Sequence, residues 1–194
     1  MLSIVIPNHN EKDVDSFVKE IHRILPVKAE VIVSNDLDGK GKGWAVRQGL
    51  SLAVGGCVAF IDGDGDIAPR MLKRLLPFIE DFDIVVGSKS NSNAPLHRKI
   101  ITHLSRIYIR MMFGLSMDTQ TGIKIYRREV LENWITDGFL YDVEILAKAK
   151  RRGYNIIEVP IHAEITSSMS RGVLWRTLKE SLKIWLRSSF RAGR

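Results

Sequence analysis

The sequence predicts an α/β fold: a mostly parallel, Rossmann-like sheet flanked by helices, with an amphipathic helix at the C-terminus. Three observations predict it. Apolar runs with β-branched residues recur at Ser3–Pro7, Glu30–Ser34, Cys57–Ile61 and Ile84–Ser88. Each is separated from the next by a segment with helical spacing, and strands that alternate with helices pair in parallel through right-handed crossovers. The length, 194 residues, suits one domain, because ordinary domains run to about 100–200 residues and bury enough apolar surface to fold without a disulfide or structural metal.

Between the first two strands, Val14, Phe17, Val18, Ile21, Ile24 and Leu25 share one helical face, and Asn10 is placed to cap the helix start. Trp44–Ala53 supplies the next helix, and Pro69, at a first helical turn, opens a third over Met71–Ile79. Cys57 cannot form an internal bridge, reads as a small buried hydrophobe within its apolar run, and fits a reducing compartment. Beyond residue 96 the rhythm changes. A basic amphipathic helix is expected near Arg98–Phe113, a strand at Ile123–Tyr126, a helix at Val143–Arg152, a strand at Asn155–Val159 and a final helix at Val173–Phe190. Lys89–Pro95 and Thr166–Gly172 read as linkers.

Charge divides the chain. Residues 1–96 hold 11 basic and 13 acidic residues (net −2), and residues 97–194 hold 18 and 9 (net +9). The rear half therefore favours an anionic partner, whereas the front half has no nucleic-acid footprint. The longest uncharged stretch, Gln48–Ile61, has 14 residues, against the roughly 20 that span a bilayer. The N-terminus lacks the basic and apolar regions of a signal peptide, so the expected location is cytoplasmic.

The most informative segment is Phe60-Ile61-Asp62-Gly63-Asp64-Gly65-Asp66. A buried strand runs into three carboxylates at i, i+2 and i+4, which an extended chain places on one side. Such a cluster repels itself unless a cation neutralises it, and an oxygen-only set at Asp62, Asp64 and Asp66 selects a hard ion, Mg²⁺ or Mn²⁺. A calcium loop is excluded because its sixth and twelfth positions hold Ile67 and Lys73 instead of Gly and Glu. Gly39-Lys40-Gly41-Lys42-Gly43 offers glycine amides and lysines to an anion but lacks Walker and dinucleotide spacing.

With these residues in order, the chain resembles the family-two glycosyltransferases of GT-A fold, particularly the dolichyl-phosphate mannose synthase-like, polyprenyl-phosphate branch. The resemblance covers nearly the whole chain. It rests on Ile6-Pro7-Asn8-His9-Asn10-Glu11, Gly41-Lys42-Gly43 before a helix with Arg47 and Gly49, Asp62-Gly63-Asp64, and Val86-Gly87-Ser88-Lys89. It continues through Asp118–Lys124, Tyr141-Asp142-Val143-Glu144 and Glu158-Val159-Pro160. The resemblance implies a single transferase domain, with residues 1–96 binding a nucleotide-diphosphate sugar and residues 97–194 binding the acceptor. Pro7, Asn8, Asn10, Glu11, Asn35, Asp36, Gly63 and Arg171 would join the donor site, with Asp36 near the base. Asp62 and Asp64 would hold the diphosphate through the metal, with Asp66 as a third ligand. Lys42, Lys89 and Lys124 would meet phosphate oxygens. Two departures stand out: a short Ser34–Asp38 segment running into Gly39, and Lys89 where the family usually has Arg.

The same resemblance implies an inverting transfer of a hexose, from GDP-mannose or a UDP-sugar, to a polyprenyl or dolichyl phosphate. Asp64, Asp118, Lys124 and Asp142 would form the catalytic set, with Asp118, Asp142 and Glu144 as positioning groups first and as a base only if the acceptor were a hydroxyl. Such an acceptor is already largely ionised at neutral pH, since its second pKa is near 6. In Arg98–Leu115, Ile100, Ile101, Leu104, Ile107, Tyr108, Met111 and Met112 recur at helical spacing beside Arg98, Lys99, Arg106 and Arg110; the final helix repeats the pattern with Trp175 and Trp185. Helices of this type lie in membrane interfaces or cover a domain's own core. The first option predicts peripheral docking on an anionic, cytoplasmic membrane face, directly or through a membrane-anchoring partner protein. Two other readings stay open: a transferase with a hydroxyl acceptor, and a non-catalytic module binding nucleic acid, against which the acidic turn argues.

Overall fold

Four strands occupy the apolar runs of the front half: β1 (Leu2–Asn8), β2 (Ala29–Asn35), β3 (Cys57–Ile61) and β4 (Ile84–Asn91). The rear half adds β5 (Ile123–Arg127) and β6 (Ile156–His162). The computed structural model, which describes residues 1–9, 13–25, 28–91, 96–131, 134–164 and 179–185, joins them in one six-stranded sheet of order β2-β1-β3-β5-β4-β6. Neighbours pair in parallel except at β5, which runs antiparallel to both β3 and β4.

The helices are α1 (Val14–Ile24), α2 (Lys42–Leu52), the short α3 (Leu72–Leu75), α4 (Leu96–Phe113) and α5 (Tyr141–Arg151); residues 179–185 are also helical. The period of two along each strand sends alternate side chains to opposite faces. Val5, Val58, Phe60, Ile84, Val86 and Tyr126 pack with α2 and α5, while Ile4, Ile6, Ala59, Ile61, Val85 and Ile125 pack with α1 and α3. Both faces are therefore dry, as a largely parallel sheet requires.

Three local expectations are corrected. Helix α1 starts at Val14, so the residue at its N-cap is Asp13 and not Asn10. The third helix is not continuous to Ile79: Pro77 removes an amide, and 3₁₀ turns at Pro69–Met71 and Leu76–Glu80 flank a single α turn. Cys57 is half-buried, packed against the second apolar cluster. Asn10, Glu11, Arg171, residues 92–95 of the first expected linker, the whole of the second and all of the expected final helix except 179–185 lie outside the described residues.

Candidate functional site

Parallel strands leave a crevice beyond their carboxyl ends, where the connections to helices diverge. Here it is a cavity of about 720 Å³, with Pro7 and Asn8 from β1 and Asp62, Gly63 and Asp64 from the turn after β3 on one wall. The facing wall is the loop 135–139 with Glu180, Lys183 and Ile184. The cavity thus draws on both halves of the chain, not on residues 1–96 alone.

The acidic turn is not extended. Gly65 adopts φ +80, a conformation that suits glycine, and the chain folds back so that the Asp66 amide donates to Asp64 Oδ1 at 3.0 Å. Asp66 is buried and its carbonyl accepts the Glu164 amide at 2.9 Å; it is not among the residues lining the cavity. Among the described residues no three acidic, His or Cys side chains converge as a metal cage. The expected three-carboxylate set is therefore corrected to Asp62 and Asp64.

Those two carboxylates differ in their partners. Lys42 Nζ lies 2.5 and 2.6 Å from the two oxygens of Asp62. Burial alone would lower the Lys42 ammonium, but the Asp62 charge, helped by Asp142 and Asp64, raises it. The Asp62 amide is fixed to the Gly122 carbonyl at 2.9 Å, and a side chain at Gly122 would collide with the Asp62 carboxylate. Asp64 has no ammonium of its own. Burial, then the charges of Asp62 and Asp66, raise its carboxyl above the usual range, against the Asp66 amide and Lys42. A crowded carboxylate of this kind fits a divalent ion that completes its shell with water and a ligand's phosphates, so the pair suits Mg²⁺ or Mn²⁺.

The glycine loop serves a different purpose from the one its composition suggests. Asp36, buried at the end of β2, accepts the amides of Lys40 (2.8 Å) and Gly41 (2.7 Å) with its two oxygens. The first amides of α2 do not face the cavity empty: Gly43 N–H donates to the Gly138 carbonyl (3.2 Å) and Trp44 N–H to that of Asp137 (3.1 Å). Gly43 permits this because a side chain there would strike the Thr136 carbonyl. Glycines at 41 and 43 thus let two loops meet, and Asp36 holds the turn between them. Asn35 is exposed and accepts from Asn8 Nδ2 at 2.7 Å.

The other expected site residues form a buried network behind the cavity. Lys124, only 3% exposed, donates to Asp142 (2.9 Å) and to the Thr121 carbonyl (2.5 Å). It is therefore not in position to meet a phosphate in the cavity as the structure stands, because its ammonium is spent on Asp142. Asp118 accepts from Arg106 (2.8 Å) and from the amides of Gln120 (3.2 Å) and Lys89 (3.4 Å), while its own amide donates to Glu158 (2.6 Å). Burial works against the Asp118 charge, yet Arg106 holds its carboxyl below the ordinary range. Lys89 contributes this backbone contact, and its side chain is half-buried away from the cavity. Glu144 holds the cavity loop in place, accepting from the amides of Ile135 and Thr136, the Thr136 hydroxyl and Lys148.

On the surface, α4 splits its apolar residues between two faces. Ile109 is buried, and Tyr108 and Phe113 pack against the core. Ile100, Leu104, Ile107 and Met111 are 52%, 58%, 43% and 80% exposed and fall on one stripe at helical spacing. Tyr108 Oη lies 2.7 Å from Ser181 Oγ, which brings the exposed Leu182 and Trp185 next to that helix. Among the described residues no helix is long and apolar enough to cross a membrane.

Residues 37–135 match the family model described as Glycosyl transferase family 2. The chain belongs to that family. It is 31% identical over 129 residues to an undecaprenyl-phosphate mannosyltransferase of Micrococcus luteus, a match covering 61% of this chain and 51% of that protein. It is 28% identical over 186 residues to a dolichyl-phosphate hexose transferase of Haloferax volcanii, covering 82% and 81%. The chain thus spans about half the length of the first relative. Its fold matches glucosyl-3-phosphoglycerate synthase from Mycobacterium tuberculosis in complex with Mn²⁺, UDP and phosphoglyceric acid, with TM-score 0.77, 18% identity and coverage of 96% and 78%. At that identity the likeness shows the GT-A fold.

For a family-2 chain, the motif positions Pro7, Asn8, Asp36, Lys42, Asp62, Gly63 and Asp64 gather at one cavity. Reading the sequence missed the facing wall, Ile135–Phe139, Glu180 and Lys183. The loop carries no chemistry-bearing motif of its own. Glu180 and Lys183 stand three residues apart on a helix whose apolar pattern drew attention to its other side.

Proposed function

We propose that this chain is an inverting transferase that moves a hexosyl group from a nucleoside-diphosphate sugar to a polyprenyl or dolichyl phosphate. The observation that carries the reading is Asp64: a carboxylate at a 720 Å³ cavity, crowded by its neighbours and without an ammonium partner. Asp64 and Asp62 would hold the divalent ion, which when bound offsets charge developing on the departing nucleoside diphosphate. Lys42 pairs with Asp62 at the edge of the cavity. Pro7, Asn8 and Gly63 line the space for the nucleotide, and Asp36 holds the loop beside them. Asp118 and Asp142, with Lys124, position the strand ends from behind. An acceptor phosphate is ionised at neutral pH and needs no strong base. The names of the two relatives support a lipid-phosphate acceptor. The exposed stripe of α4, with Arg110 beside it and Leu182 and Trp185 nearby, supports peripheral docking on an anionic cytoplasmic leaflet, directly or with a membrane-anchored partner.

The test is sugar transfer from GDP-mannose, UDP-glucose and related donors with Mn²⁺, offered polyprenyl phosphate or soluble glycans in parallel. Lipid-linked product is expected, and Asp64→Ala is expected to abolish it with the fold intact. Product on soluble glycans alone would reject the lipid acceptor, and undiminished turnover in Asp64→Ala would reject the metal site.

A further inference from the structure

The cavity contains more charge than a donor site needs, and most of it is already paired. Lys42 is held by Asp62. Lys40 pairs with Asp38 at 2.9 Å and lies over the Trp44 ring. Asp137 pairs with Arg47, the two oxygens of Asp36 accept loop amides, and Glu180 accepts the Leu140 amide at 3.4 Å. Of the ammonium groups lining the cavity, Lys183 alone has no ion pair among the described residues, and Asp64, which accepts the Asp66 amide, has no lysine or arginine within ion-pair distance. The complement of such a cavity is a ligand that is itself a cation joined to an anion.

Lys183 does not reach the cavity by the accident of a long side chain. Three contacts set the rotation of its helical segment. Ser181 bonds Tyr108 of α4 at 2.7 Å. Ile184 is buried in the apolar cluster that includes α5. Glu180 fits against Gly138, where a side chain would collide with its carboxylate. Residues 180, 183 and 184 therefore share the face toward the cavity, while Leu182 and Trp185 face out.

We propose that Lys183 binds the diphosphate of the sugar-nucleotide donor, completing the donor site from the C-terminal segment. The assignment rests on the donor reading above and adds a residue to it. The amides at the start of α2 are occupied by loop carbonyls, so the phosphates must be met by side chains and the cation held at Asp64. An ammonium serves a diphosphate well because it acts as a point charge with three rotatable donors. The same cavity holds Pro7, Asn8 and Gly63, which assigns Lys183 to the donor and not to the acceptor phosphate.

The experiment is isothermal titration of the full chain with UDP and with GDP in the presence of Mn²⁺, without acceptor. Lys183→Met should bind the preferred nucleotide about tenfold more weakly, as loss of one charged hydrogen bond entails. Its affinity should also respond less to added KCl than that of the wild type. Lys183→Arg should restore most of the affinity, and Lys179→Met, on the same segment but outside the cavity, should bind normally. Circular dichroism and thermal unfolding check that each variant is folded. Equal affinity in Lys183→Met and wild type overturns the assignment, even if the acceptor KM rises, as does an equal loss in Lys179→Met. Failure of the wild type to bind either nucleotide overturns the donor reading itself, and this assignment with it.

Discussion

Replacing Lys124 by Met separates a structural ion pair from a phosphate ligand. Lys124 and Asp142 are 3% and 7% exposed and 2.9 Å apart. Removing one member of such a pair costs about 3–5 kcal/mol, because the other charge stays buried without its partner. In Lys124→Met the stranded Asp142 keeps the Val143 amide at 2.8 Å and lies in the first turn of α5, where the helix dipole favours an anion by about 0.3–1 kcal/mol. The loss should sit near the lower limit, about 3 kcal/mol. Asp142→Leu leaves an ammonium whose remaining partner is the Thr121 carbonyl, so the loss should approach about 5 kcal/mol. For a chain of this size each kcal/mol moves Tm by about 2–4 °C, which gives drops of about 6–12 °C and 10–20 °C. Lys124→Met/Asp142→Leu strands no charge and should lie closer to wild type than either single variant, with a coupling of at least about 2 kcal/mol. Urea unfolding followed by circular dichroism measures all four proteins. A Lys124→Met protein as stable as wild type but weakened toward UDP or GDP would refute the structural assignment and make Lys124 a phosphate ligand.

Mn²⁺ binding should depend on pH through Asp64. A cation binds only the ionised carboxylate, and burial with the Asp62 and Asp66 charges raises the Asp64 carboxyl, so affinity should still climb as pH rises above the ordinary carboxylate range and then level. Asp64→Asn should flatten that climb, and a wild-type profile already flat above that range would contradict the raised carboxyl. Without metal the sign reverses: a folded-state pKa above the unfolded one stabilises at low pH and is lost as pH rises through it. The size is below about 1 kcal/mol because Asp64 keeps contact with water. The α4 stripe makes a separate prediction. Wild-type protein should sediment with phosphatidylglycerol vesicles, and Leu104→Asp/Met111→Asp should stay in the supernatant with stability changed by no more than about 0.5 kcal/mol per site. Sedimentation undiminished in that variant would rule out the stripe as the docking face.

Periodicity made the strands and most helices legible, because burial on two sheet faces leaves a strong pattern. It could not show that β5 runs antiparallel, since Ile123–Tyr126 has the same apolar character whichever way it is threaded. The cavity residues at the ends of β1 and β3 were legible for a topological reason: strand ends mark where a cavity must open. Their internal state was not. Gly65 turns Asp66 out of the set, a backbone choice that Asp-Gly-Asp spacing does not encode. Lys124 and Lys42 look alike in sequence, yet one is buried within β5 and the other reaches the cavity, a difference made by residues far along the chain. Lys183 was hidden by its neighbours, since a segment rich in Leu, Trp and Lys suggests a surface on every side.

The placement of β5 has a consequence for synthesis. On the ribosome β1, β2 and β3 emerge first, and they can pair with one another. The outer flank of β3 finds its partner only after Ile123–Arg127 has been made. Until then Cys57-Val58-Ala59-Phe60-Ile61, uncharged and free of proline, presents an open edge of the kind that recruits other nascent chains. The middle of this sheet stays open until β5 arrives, so slower growth in the cold or a chaperone that covers that edge should raise the yield of folded protein.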